Sequence, residues 1–405
     1  MGEHAPLRDD GTASIIARAV VLQSGKSGAP LSTVAPRDEE TRVHPSGDIR
    51  RSVIAFARAR LELAHTFRIA RSADDFRETV IVRVESGGIE GLGEAAPSPR
   101  YGQSAASAES AISSLPAPLF EDPGRFDETL DAAAEILGAE KAALAAFDMV
   151  LHDLRGKRLG APLHRILGLD ASLAPVTSFT IGIDEPAVVE AKVREAEGFP
   201  VLKIKMGLEN DREILDAVRR ATARPIRVDA NEGWTREEAV EKLRWLEGEN
   251  VELVEQPLPA DDLEGMRTLA GRTSIPLFAD ESVRSAEDIP ALAEVFGGIN
   301  VKLMKCGGVR EALRLIRAAR EHGMKIMLGC MIESSIGITA AAQISPLVDY
   351  ADLDGNLLIR NDPAAGVTHE AGRLVLPAGP GLGAALREGA VLDALRAHAR
   401  RPPPE

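Results

Sequence analysis

Cysteine is almost missing from this chain: Cys306 and Cys330 are the only two among 405 residues. They follow consecutive predicted strands, so two buried free thiols are expected rather than a disulfide or a two-residue metal site. Aromatic residues make up 3%, no basic stripe interleaves with them, and the net charge is −14. That balance argues against nucleic acid or an anionic membrane as partner. No apolar run is long enough to span a bilayer. Residues 14–24 resemble a secretory segment only faintly, because Arg18 interrupts the apolar stretch and acidic residues precede it. The expected compartment is therefore the cytoplasm.

An apolar share of 44% and a charged share of 27% are ordinary for a soluble globular protein. The length fits one large barrel plus a second domain. Residues 1–48, rich in Gly, Ser, Pro and charge without a sustained period, are expected to be a disordered extension. Residues 49–172 mix strands such as Arg77 to Ser86 with helices such as Ala139 to Leu159, an α+β domain by its order. Gly87-Gly88 reads as a hairpin turn, and the two prolines in Gly93 to Arg100 read as a loop. Residues 357–405 are expected to return to this first, capping domain.

From 173 to 356 short β-branched or apolar runs alternate with amphipathic helical stretches, the pattern of a βα barrel. In one stretch Val309, Ala312, Leu313, Ile316 and Ala319 recur at helical spacing, with Gly323 as a stop. Another begins at Thr235, with Glu238 completing a capping box. Eight strands are expected, ending near Gly182, Lys205, Asp229, Glu255, Asp280, Lys302, Gly329 and Asp354. The C-terminal ends of parallel barrel strands converge on one mouth, so the residues there face a single cavity. Alternation points Lys203 and Lys205 into the barrel, with Leu202, Ile204 and Met206 toward the helices. Asn300 and Lys302 share one face in the sixth strand; Lys305 falls out of phase, past the expected strand end.

A single carboxylate at a strand end is more often a helix cap or a surface charge than a ligand. Asp229, Glu255 and Asp280 on successive strands are harder to dismiss. Their mutual repulsion requires a cation, and oxygen-only ligands suit Mg²⁺ rather than zinc. Lysines inside apolar strands are likewise unusual. None of the eight histidines falls in a predicted barrel strand, and His322 sits at a helix end, in a capping position. Asp352-Leu353-Asp354-Gly355 is a common turn sequence, but its place at the eighth strand end leaves a binding role open.

Together, Lys203-x-Lys205, Asp229-Ala230-Asn231, Glu255-Gln256-Pro257, Asp280-Glu281-Ser282 and Asn300-Val301-Lys302-Leu303-Met304-Lys305 resemble the enolase superfamily, in its muconate-lactonizing-enzyme subgroup. The resemblance covers roughly residues 50–385 and implies a modified (β/α)8-type barrel under an α+β capping domain. It implies that Asp229, Glu255 and Asp280 bind Mg²⁺ and that Lys205 and Lys302 are acid and base on opposite faces of the substrate. Within the subgroup, Cys330-Met331-Ile332-Glu333-Ser334 and Asp352-Leu353-Asp354 look like dipeptide epimerases of the L-Ala-D/L-Glu type, whose paired aspartates hold the substrate ammonium. Two carboxylates at the mouth also favour a cationic amine and repel a second carboxylate. The implied reaction removes the α-proton of the C-terminal residue, with the metal and Lys203 stabilising an enolate. The loop Phe67 to Ser72 resembles the family's lid, where Arg71, with Arg68 as an equal rival, is available to pair with an acidic side chain. A homo-oligomer is expected. N-acylamino acid racemase, o-succinylbenzoate synthase or cycloisomerase chemistry is the alternative within enzymes; a noncatalytic small-molecule binding protein is the alternative outside them.

Overall fold

The computed structural model describes residues 53–116, 119 and 125–399, so the expected extension at 1–48 lies outside the described residues. The fold opens with a long antiparallel hairpin, β1 (Val53–Ile69) and β2 (Ser72–Ser86), to which β3 (Ile89–Ala95) adds across Gly87 and Gly88. Both glycines have positive φ, 62° and 79°, as a tight two-residue hairpin turn of this kind needs. Two sequence expectations are corrected here. Phe67 to Ser72 is not a loop but the tip of the hairpin, with Phe67 opposite Asp74 and Ile69 opposite Ser72. Second, β3 runs to Ala95, so the proline loop starts only at Ala96. The hairpin tip rests on the barrel rim but no residue from 64 to 78 is fully buried, so its sequence carries no sustained hydrophobic alternation to reveal the strands.

Helices Ala105–Ser113, Phe126–Leu137 and Lys141–Leu159 follow the sheet. The last is buried along nearly its whole length, because it packs on β3 on one side and on barrel elements on the other. A helix in that position must be apolar on most of its circumference. The C-terminal helix Ala390–Ala399 returns to pack on β1, placing Leu395 among Ala55, Ala57 and Leu61.

Eight parallel strands form the second sheet, in sequence order: β4 (Phe179–Ile181), β5 (Leu202–Lys205), β6 (Ile226–Asp229), β7 (Val251–Glu255), β8 (Leu277–Ala279), β9 (Gly298–Lys302), β10 (Lys325–Gly329) and β11 (Tyr350–Asp352). The barrel closes through a bridge between Thr177 and Ala351, reinforced by the Ser178 amide donating to the Ala351 carbonyl at 3.1 Å. Leu253, Phe278 and Met327 plug the interior, and Arg227 lies over the Tyr350 ring while pairing with Glu252. These groups make a floor that leaves only one end of the barrel for a site. The eighth strand ends at Asp352, not at the expected Asp354, which instead leads into the 3₁₀ turn Gly355–Leu358. The capping box at Thr235 and Glu238 forms as expected. Helix Val309–Glu321 also forms, although Leu315 takes the buried place expected for Leu313. Among the described residues no helix is long and apolar enough to cross a membrane.

The first domain is stitched to the barrel by a borrowed cap. The Asp148 carboxylate accepts from the amides of Val309 (2.6 Å) and Arg310 (3.1 Å), the first donors of a barrel helix that has no side-chain cap of its own. Residue 308 must be glycine for this approach: its φ is 113°, and a Cβ there would sit 2.5 Å from Asp148 Cγ. Asp148→Ala leaves two buried donors unpaired and is expected to cost about 1–3 kcal/mol of stability. Urea denaturation measures this; a variant as stable as the parent would show that the cap contributes nothing.

Candidate active site

The strand ends deliver their charges to one cavity of about 300 Å³, lined by Lys203, Lys205, Lys302, Asp352 and Asp354 among others and roofed by Phe67, Ile69 and Arg71 of the hairpin tip. Beneath it Asp229, Glu255 and Asp280 are all buried, with one oxygen from each within 4.8 Å of the others. The sequence-predicted lysines and carboxylates therefore meet. Lys203 Nζ lies 3.0 Å from Asp229 Oδ2, 2.7 Å from Glu255 Oε2 and 2.7 Å from Asp352 Oδ2. Lys205 donates to Asp229 Oδ2 at 2.7 Å and to Asn231 Oδ1 at 3.1 Å. Lys302 donates to Asp280 Oδ2 at 2.7 Å. Lys205 and Lys302 belong to the second and sixth of eight barrel strands, so they approach the carboxylates from opposite sides of the mouth.

Burial would hold every one of these groups neutral, and the neighbouring charges decide which stay ionised. For Asp229 burial is overcome by Lys203 and Lys205, and its carboxyl lies well below the usual range. Burial of Asp280 is likewise overcome by Lys302 and Lys305. Glu255 goes the other way: burial, then Asp229, raises it to about 7. Lys203 and Lys302 are lowered by burial but raised further by the carboxylates, so both are held as ammonium.

The donor set fits a hard divalent cation. It consists of three carboxylates with no softer ligand among them. Glu255 Oε2 is buried and makes no hydrogen bond, despite the nearby Lys203 amine. Asn300 holds the other oxygen, donating to Glu255 Oε1 at 2.7 Å. Gly329 on the neighbouring strand β10 leaves the room for Asn300, since a Cβ there would lie 2.5 Å from its Oδ1.

Asp352 and Asp354 both reach the cavity, but not as two residues of one strand face. Asp352 accepts from Lys203 and from Ser178 Oγ, at 2.7 Å each, and is held below the usual range by Lys203 against its burial. Asp354, past the strand, accepts from the Thr180 amide (2.6 Å) and hydroxyl (3.2 Å); burial and then Asp352 raise it to about 7. Arg71 lies at the rim with its guanidinium 2.8 Å from Glu281 and on the Asn231 carbonyl at 3.0 Å. Arg68 does not line this cavity; its backbone carbonyl accepts from the Ile183 amide.

Sequence reasoning passed over several members of this cluster. Lys305 was set aside as out of phase, yet its amine reaches Asp280 and the Asn300 carbonyl. The chain turns into the short helix Leu303–Cys306 directly after β9, and three residues of helix bring a side chain back to the same side. Glu281 follows Asp280 and should point away in a strand, but β8 has already ended at Ala279. Asn231, Glu232 and Gln256 adopt positive φ of 44°, 66° and 37°, strained backbone concentrated in the loops after β6 and β7. His322 caps its helix as expected, with Nδ1 2.9 Å from the Ala318 carbonyl. Cys306 is a buried free thiol as expected, whereas Cys330 is free but only half-buried, because it lines the cavity.

A second carboxylate pair supports the wall beside Cys330. Glu94, at the end of β3, accepts from the Ser334 amide and hydroxyl and from the Gly337 amide, at the start of helix Ser335–Ala342. Glu333 faces it, and burial with Glu94 raises its carboxyl to about 8. The folded protein thus keeps a proton on Glu333 that the unfolded chain, with a value near 4.5, gives up. Stability from this group is complete below about 4.5 and is lost as pH rises to about 8. Glu333→Gln keeps an acceptor for the Met331 amide, so its Tm is expected to exceed the parent's at pH 8.5 and to match it below pH 4.5. Parallel melting curves across that range test this, and a pH-independent difference would contradict it.

Comparison with known proteins places these residues in context. Residues 52–168 match the model of the mandelate racemase / muconate lactonizing enzyme N-terminal domain, and residues 187–390 match that of the enolase C-terminal domain-like family. An L-Ala-D/L-Glu epimerase of Bacteroides thetaiotaomicron is 42% identical over 325 residues, covering 80% of this chain and 85% of that protein. An L-Ala-D/L-amino acid epimerase of a Maribacter species is 39% identical, covering 83% of this chain and 99% of that one. The crystal structure of a dipeptide epimerase from Cytophaga hutchinsonii, complexed with Mg and D-Ala-L-Val, superposes with a TM-score of 0.79 at 28% identity, covering 84% of this chain and 97% of that one. The chain belongs to the mandelate racemase and muconate lactonizing enzyme family of the enolase superfamily.

Proposed function

We propose that this protein is a Mg²⁺-dependent dipeptide epimerase that inverts the α-carbon of the C-terminal residue by 1,1-proton transfer. The observation that carries the reading is the pair of buried amines, Lys205 and Lys302, on opposite strands across a cluster of three carboxylates. A planar carbanion placed between two such groups can lose a proton to one and regain it from the other, which a single base cannot accomplish on both faces. The relatives named above are epimerases of dipeptides.

Asp229, Glu255 and Asp280 would hold the metal, with Asn300 orienting Glu255 and Lys305 orienting Asp280. A Mg²⁺ held by these carboxylates would supply Lewis-acid stabilisation of developing enolate charge. Lys203, kept cationic by Asp229, Asp352 and Glu255, adds a fixed positive charge to the same side. Lys302, held as ammonium, gives a proton to one face as Lys205 takes the α-proton from the other, and the roles exchange in the reverse reaction. Asp352 and Asp354 receive the α-ammonium, which fixes which end of the dipeptide meets the lysines. At the rim, Arg71 is assigned to the side chain of the C-terminal residue; an acidic side chain would replace Glu281 as its partner. Two unpaired thiols fit a cytoplasmic enzyme, which we also propose.

The ammonium site separates this reading from racemisation of N-acylated amino acids. Asp354→Asn keeps an acceptor for Thr180 but removes the charge. It is expected to lower kcat/KM for L-Ala-L-Glu about tenfold or more, and that for the N-acetylated dipeptide far less. Equal losses on the two substrates would assign Asp354 to structure and remove the ground for a dipeptide substrate.

A further inference from the structure

A second cavity, of about 230 Å³, adjoins the first and shares Phe67, Thr180 and Leu358 with it as a partition. It exists because of an irregularity in the hairpin. Four residues of β1, 63–66, stand opposite the single residue Asp75 of β2, so the strand bulges outward. Leu63 pairs instead with Ile359, and the Arg360 amide donates to the Glu62 carbonyl at 2.8 Å, so the bulge rests on the segment that follows Asp354. The bulge is the roof, Phe179 and Ile181 of β4 the floor, and Ala196, Phe199 and Leu357 the sides. Its charged lining residues are already paired: exposed His65 meets Glu195 at 3.5 Å, and the buried Lys192 amine donates to Asp184 at 3.0 Å. Neither wall nor floor serves the proton transfer.

We infer that this cavity receives the side chain of the substrate's N-terminal residue and that it selects large apolar ones. The inference rests on the dipeptide reading above and extends it to a substrate class. Its argument is positional. Thr180, in the partition, is bonded through both amide and hydroxyl to Asp354, the carboxylate assigned to the ammonium. The N-terminal α-carbon lies one bond from that ammonium, so its side chain starts at the partition. One direction from there leads back to the charged cluster, where an apolar group would displace ion-pair partners. The other leads between Leu358 and Phe67 into the apolar space. A dry apolar cavity of about 150 Å³ is known to take a benzene ring, so 230 Å³ accommodates a leucine or phenylalanine side chain.

The test compares kcat/KM in D₂O-based epimerisation assays for Ala, Leu and Phe in front of either Glu or Val. The parent enzyme is expected to turn over the Leu dipeptides at least as well as their Ala counterparts. Ala196→Leu fills the cavity from a position outside the first one, and should lower the Leu-to-Ala ratio about tenfold or more. Leu357→Ala, at a partly exposed site that tolerates truncation, should raise the Phe-to-Ala ratio at least threefold. Ratios unchanged within twofold in both variants would overturn the assignment. So would a change that follows the C-terminal residue instead. If the parent epimerises none of these dipeptides the proposed function itself falls, a result distinct from an active enzyme that ignores its first residue.

Discussion

The charge balance at the barrel mouth is the constraint on which the rest of this molecule depends. Asp229, Glu255 and Asp352 are buried with Lys203 and Lys205 in one ion-pair group, Asp280 with Lys302 and Lys305 in another, and Asn300 bridges the two through Glu255 and Lys305. Isolated, each of these charges would be too costly to bury; removing any one strands its partners. The barrel meets that cost by supplying a strand end for nearly every charge and a hydrophobic floor beneath them. The same balance explains why Glu255 and Asp354, each buried beside another carboxylate, Asp229 for the one and Asp352 for the other, are pushed up to about 7. Both are groups that a bound cation, a metal for one and an ammonium for the other, would return to their charged form.

The first domain matters to this centre as a lid fixed by specific contacts. Arg71 at the hairpin tip pairs with Glu281, and Arg100 after β3 makes a bidentate pair with Glu232. Glu94 holds the start of the helix after β10, and Asp148 holds the start of the helix after β9. Carboxylates and guanidinium groups thus reach from one domain onto backbone amides and acids of the other, close to the strand ends that carry the chemistry. Shape and reactivity are coupled there, since the hairpin roofs both cavities while the barrel and the segment after it supply most of the rest.

Much of this was legible in the sequence, for a physical reason. In a parallel barrel each strand is buried on both sides, so a Lys or Asp at its end stands out against an apolar run, as Lys203 and Lys205 do beside Leu202 and Ile204. The capping box at Thr235 was equally plain, because the two side chains that make it are local. What the sequence concealed lay where alternation stops. Lys305 and Glu281 enter the cluster only because β9 and β8 end when they do. Asp354 lies two residues past the end of the strand its sequence suggests, and the hairpin tip reads as a loop because an unburied strand needs no pattern. The bulge at 63–66 has no local signature, as it depends on Leu63 finding Ile359 nearly 300 positions away.

The central claim is that Lys205 and Lys302 serve opposite faces of one carbon. Solvent deuterium exchange at the α-position, followed by proton NMR, examines it most directly. Lys205→Ala and Lys302→Ala should each be incubated with Mg²⁺ and either L-Ala-L-Glu or L-Ala-D-Glu in D₂O. Each variant should exchange the α-proton of one diastereomer only, the two variants taking opposite ones, and neither should interconvert them. Near-parental epimerisation by either variant, or exchange of both diastereomers by both, would contradict the account.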